Sequence, residues 1–125
     1  MVVTDLHERR TDETVTELAA EHGADRVMGA LMDAGDRDAI DTTLAAATDR
    51  GGPGDVLANN AAFNLLRPVV EPDPADRDWG LGVNLSGPWY LCRAVLPAMV
   101  EAGWGSIVNI TSVAGWIHGA NEGPY

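Results

Sequence analysis

The sequence predicts an α/β fold in which a parallel sheet carries helices on both faces. Three observations lead there. Short apolar runs of strand length alternate with helical segments of about ten residues or more. The runs are continuous rather than alternating, as strands buried on both sides are. A polar side chain closes each run, at the point where a parallel strand passes into its helix.

The first run, Val2 to Asp5, is closed by Asp5. Thr11 to Glu21 then sets Val15, Leu18 and Ala19 on one helical face, and His22-Gly23 ends that helix. Val27 to Met32 forms a second strand closed by Asp33, followed by a helix from Asp36 to Arg50 with Ile40, Leu44 and Ala47 at helical spacing. The run Gly51-Gly52-Pro53-Gly54 breaks the chain before a third strand, Val56 to Ala58, which ends at Asn59-Asn60. A loop containing Pro68, Pro72 and Pro74 leads into Ala75 to Ala102, read as one long helix, and Ser106 to Ile110 is the fourth strand, closed by Thr111-Ser112. Within the long helix, Trp79, Trp89, Tyr90, Leu91, Val95, Leu96 and Met99 read as core or subunit interface. Pro88 has no N–H, so the carbonyl four residues earlier, that of Asn84, loses its helical partner and the helix should kink.

A chain of 125 residues with 46% hydrophobic content suffices for one modest domain, 1–125, burying roughly two-thirds of its unfolded surface. The balance of 19 acidic against 8 basic residues gives a net charge of −11, a field that repels phosphate backbones and anionic lipid surfaces, so neither nucleic acid nor membrane is an expected partner. Every basic residue is an arginine. The single Cys92 cannot form an internal disulfide, which makes a reducing cytoplasm the expected location. No apolar run approaches the roughly 20 residues that span a bilayer. His7, His22 and His118 lie apart from one another and from Cys92, and no metal site is expected.

Parallel strands place ligand sites at their carboxyl ends. Asp5, Asp33, Asn59-Asn60 and Thr111-Ser112 all occupy such ends. The segment Asn59-Asn60-Ala61-Ala62, the helical Val83-Asn84-Leu85, and a serine at 112 thirteen positions before a tyrosine at 125 occur in an order and spacing that resemble the short-chain dehydrogenase/reductase family. The resemblance implies a Rossmann-type doubly wound parallel sheet and NAD(P)-dependent interconversion of a secondary alcohol and a ketone by hydride transfer. It covers essentially the whole chain.

Residue by residue, the resemblance assigns Asp5 to the vicinal hydroxyls of the adenosine ribose. With Leu6 beside it, that implies NAD over NADP, while Arg9 or Arg10 reaching a 2'-phosphate is the alternative. Asp33 and Ala34 would meet the adenine, and the backbone of Asn59, Asn60 and Ala61 would pack against the cofactor and tie the central strands. Ala62 stands where the family has glycine, which adds a methyl and disfavours positive φ. The Asn84 carbonyl would anchor a water chain, the Ser112 hydroxyl would hold the substrate oxygen, and the Tyr125 phenol would exchange the hydroxyl proton. A free phenol has a pKa near ~10 and needs a neighbouring cation to act near neutrality; the family supplies a lysine one helical turn after the tyrosine.

The family's first strand with its glycine-rich phosphate turn, and its later strands, have no counterpart in the sequence. Gly51 to Gly54 precedes a strand and Gly80 and Gly82 sit in a helix, the wrong context for that turn. The chain therefore reads as an interior piece of an oxidoreductase that forms a partial sheet and has no dehydrogenase activity by itself. Its parent would act on a small alcohol or ketone and assemble as a homo-oligomer through the long helix. The competing expectation is a non-catalytic remnant or interaction module pairing through that helix.

Overall fold

The computed structural model describes residues 1–117 and 119–122. Four short strands, β1 (Val2–Asp5), β2 (Met28–Leu31), β3 (Val56–Asn59) and β4 (Ser106–Asn109), alternate with α1 (Glu8–His22), α2 (Arg37–Gly51), α3 (Pro74–Leu81) and α4 (Gly87–Ala102). The strands form two parallel pairs, β1–β2 and β3–β4, and among the described residues no ladder joins β1 to β3. Each ladder continues one residue past its strand, through Met32 N–H to the Asp5 carbonyl (3.1 Å) and Ile110 N–H to the Asn59 carbonyl (2.9 Å). The backbone of Asp5 and Asn59, at two of the strand ends, is thus held by its ladder.

Strand alternation decides which helix covers which face. On β2, a Cβ at Gly29 would lie 2.9 Å from Thr11 and Val15 of α1, so this face takes that helix in close contact. The opposite face leads to Met32, which packs with Ala34, Ile40, Val83 and Leu91 in the main core. Ile40, on the inner face of α2, is fully buried. On β3 the same alternation turns Leu57 into the core and leaves Val56 exposed.

The helix ends follow the local sequence. The Asp36 side chain caps α2 by accepting from the N–H groups of Asp38 and Ala39. Asp73 and Asp76 form a reciprocal capping box at α3, with Pro74 in the first turn, where a missing N–H is harmless. Gly103 ends α4 at φ 67°, a left-handed conformation that favours glycine.

The helix expected over Ala75 to Ala102 is continuous in path but not in register: Gly82–Ser86 forms a π turn between α3 and α4, with Gly87 N–H donating to the Gly82 carbonyl. This corrects the expected simple kink. A turn widened by one residue lies just before Pro88, which cannot donate, and joins α3 to α4. Close packing fixes its place, since a Cβ on Gly87 would lie 1.9 Å from the Ala34 carbonyl oxygen. Only glycine allows α4 so near the loop after β2.

Candidate functional site

A cleft of about 610 Å³ opens at the carboxyl ends of β1, β2 and β3, between the two strand pairs. Asp5, Asp33, Ala34, Asn59, Asn60 and Ala61 all line it. These six residues come from three strand ends that span more than fifty positions of sequence.

Asp5 Oδ1 accepts from the His7 N–H at 2.8 Å and from the Arg10 guanidinium at 2.9 Å. Burial pushes the Asp5 carboxyl up, but these two hydrogen bonds and the Arg10 and His7 charges outweigh it and hold the group below the ordinary carboxylate range. Arg10 also lines the cleft, whereas Arg9 turns along α1 to pair with Glu13 at 2.8 Å. The two arginines left open by the sequence are thereby separated, and only Arg10 is at the site.

Asp33 precedes α2, whose cap is Asp36. Its Oδ1 accepts the Gly35 N–H at 2.8 Å and its Oδ2 accepts the Trp79 indole N–H at 3.1 Å. Trp79 was expected in the core or an interface; it lines the cleft, 39% exposed, with its ring tilted 54° against that of Phe63 at 4.3 Å. Nothing in the local sequence distinguishes it from the core aromatics, because its partner lies 46 positions away.

Asn59 is buried, and its amide donates to Asn109 Oδ1 at 2.8 Å and towards Cys92 Sγ at 3.6 Å. That bond ties the end of β3 to the end of β4. The Asn59 Oδ1 atom, in contrast, is buried with no partner. A buried acceptor left unpaired costs about 1–3 kcal/mol, so this position suits an incoming donor. Ala62 also lines the cleft, and among the described residues only Asn121 is a non-glycine with positive φ, so Ala62 keeps an ordinary backbone.

Asn84 lies on the π turn and clasps a neighbouring loop. Its amide donates to the Phe63 carbonyl and its Oδ1 accepts the Phe63 N–H, both at 2.8 Å. It stands behind the cleft wall rather than in its lining. Ser112 follows β4 and caps a 3-10 turn, Val113–Gly115, where its Oγ accepts the Ala114 N–H at 3.1 Å. It too is outside the lining of this cleft. Tyr125 lies outside the described residues.

Residues 1–125 match the family described as short chain dehydrogenase. A dehydrogenase subunit from Thauera aromatica, named for (2S)-[(R)-hydroxy(phenyl)methyl]succinyl-CoA, is 36% identical over 125 residues, covering 100% of this chain and 49% of its own length. The D-threitol dehydrogenase of Mycolicibacterium smegmatis is 33% identical over 91% of the chain and 43% of its own length. Among solved structures, a metagenomic short-chain oxidoreductase in complex with NADP superposes with a TM-score of 0.90 at 32% identity, covering 99% of this chain and 56% of that one. The chain thus spans about half the length of the curated relatives it matches.

Proposed function

This chain belongs to the short-chain dehydrogenase family, and from that premise we propose that it forms the adenosine-binding part of an NAD(P)-dependent oxidoreductase interconverting a small secondary alcohol and a ketone. The observation that carries the reading is the convergence of Asp5, Asp33, Ala34, Asn59, Asn60 and Ala61 on one cleft at the carboxyl ends of parallel strands. The cleft's size is that of a ligand site, and the unpaired Asn59 Oδ1 gives it an acceptor in need of a donor. The residues fit the adenosine half of a nicotinamide dinucleotide.

In this reading Asp5 accepts the ribose hydroxyls through Oδ2, since Oδ1 is already engaged by Arg10 and His7. Asp33 accepts from the base, and Ala34 and Ala61 give flat, small walls. The bound nicotinamide group supplies hydride acceptance and donation. Ser112 Oγ already accepts one N–H, which leaves its hydroxyl proton free to donate to a substrate oxygen. Tyr125 is assigned the proton exchange with that oxygen, and the Asn84 carbonyl, opposite the N–H that Pro88 lacks, is assigned the water. NAD is the preferred cofactor because a carboxylate at Asp5 repels a 2'-phosphate. Arg10 within the cleft is the observation that favours NADP.

The exposed stripe of Leu85, Trp89, Leu96 and Val100 along the long helix supports the reading of a homo-oligomer through that helix. A cytoplasmic enzyme fits the lone Cys92, and no described helix is long and apolar enough to cross a membrane. The test is calorimetric titration of the chain with NAD, NADP and ADP-ribose, beside reduction of each dinucleotide by a panel of secondary alcohols in the chain and in a version extended at both ends. Binding of ADP-ribose by the chain, with turnover confined to the extended protein, is the expected result. Lack of ADP-ribose binding by both proteins would overturn the reading.

A further inference from the structure

At the Asp33 end of the cleft stands an aromatic wall, Trp79, a residue that the sequence assigns to core or interface. The Trp79 indole is held at two points, by its N–H on Asp33 Oδ2 at 3.1 Å and by its ring against Phe63 at 4.3 Å. Phe63 is itself fixed, because Asn84 takes both its N–H and its carbonyl, and its ring rests on Gly80, where a Cβ would approach to 3.0 Å. An aromatic side chain so braced, yet 39% exposed in a cleft, presents a rigid open ring edge and face.

We propose that Trp79 is a positioning residue at the base end of this cleft: its indole N–H orients the Asp33 carboxylate, and its ring flanks a purine that offers an exocyclic amine to that carboxylate. The inference rests on the nucleotide reading above and adds a selectivity to it. A carboxylate has no proton to give and about four acceptor positions. The Gly35 N–H takes one on Oδ1 and the Trp79 N–H takes one on Oδ2, which leaves one on each oxygen in a fixed orientation. An adenine amine fills such a position. A hypoxanthine ring puts a carbonyl oxygen there and meets acceptor with acceptor. The ligand that pairs the carboxylate is favoured over the one that leaves it unpaired.

The test compares the dissociation constants of NAD and nicotinamide hypoxanthine dinucleotide for the chain by calorimetry. Wild type should favour the adenine form by about tenfold, the effect of one hydrogen bond to a charged acceptor. Trp79→Phe keeps a ring but removes the donor, and should bring the ratio to within about twofold while leaving the melting temperature near that of wild type. Asp33→Asn, which turns an amide donor to the base, should favour the hypoxanthine form. A purely structural role for Trp79 would weaken both dinucleotides alike and leave the ratio untouched. An unchanged ratio in Trp79→Phe overturns the inference alone; failure of both the chain and the version extended at both ends to bind either dinucleotide overturns the nucleotide reading with it.

Discussion

The two parallel strand pairs share a length and a pairing geometry but differ in cover. β1–β2 carries α1 on the Gly29 face and the main core on the Met32 face, although Val2 and Leu31 stay 38% and 56% exposed. β3–β4 is covered by α4 on the Leu57 side, while Val56, Val108 and Ile110 remain 61%, 45% and 60% exposed. With no ladder between the pairs, what joins them is α2 packed on α4 and the loop after β2 pressed against the π turn. The cleft sits at this joint. Its geometry therefore depends on helix packing and one glycine contact, and much less on the sheet.

Substitutions can break that comparison in graded steps. Ile40→Ala, at the buried centre of the joint, should destabilise the chain by about 4 kcal/mol in chemical denaturation, through lost burial and an unfilled cavity. Val108→Ala, on the open face of β4, should change stability by no more than about 0.5 kcal/mol, and equal losses at both sites would erase the distinction between the pairs. Gly87→Ala puts a methyl into the Ala34 carbonyl and should cost about 3 kcal/mol, with cofactor binding lost alongside because the loop carrying Asp33 must move. Asn84→Ala frees both hydrogen-bonding groups of Phe63 and should cost about 2 kcal/mol.

The smallest expected effects concern cofactor choice and pH. Asp5→Ser should narrow discrimination against NADP by roughly tenfold, by removing an acceptor and a repelling charge together and freeing Arg10. The Asp5 carboxyl is held below its ordinary value in the folded chain, so its contribution to stability is present above about pH 4 and fades as pH falls through the lower folded value. Arg10→Ala should shrink this acid-side slope in denaturation series at stepped pH. The shrinkage should be slight, since the pair is largely exposed to solvent.

The strand ends were legible in the sequence because a polar residue closes each of four successive apolar runs, and Asp5, Asp33 and Asn59 line one cleft. The helix interruption was legible at Pro88 but not in kind. A lone proline predicts a freed carbonyl, whereas the π register depends on how closely Gly87 approaches Ala34, a contact between residues 53 positions apart. Trp79 was not legible at all. Aromatic residues at helical spacing look alike until one of them is seen to donate to a distant carboxylate. Ser112 could be placed after β4 from sequence, but its turn-capping bond to Ala114 emerged only from the fold.

Hydrogen–deuterium exchange of the chain with and without saturating ADP-ribose tests most directly the claim that the cleft between the pairs takes an adenosine. The account predicts slower exchange at the backbone around Asp5 to His7, Asp33 to Asp36 and Asn59 to Asn64, with the ends of β1, β2 and β3 protected together and the segment around Asp25 to Met28 and Arg50 unchanged. Protection confined to one strand pair, or appearing around Met28 and Arg50 instead, would contradict it.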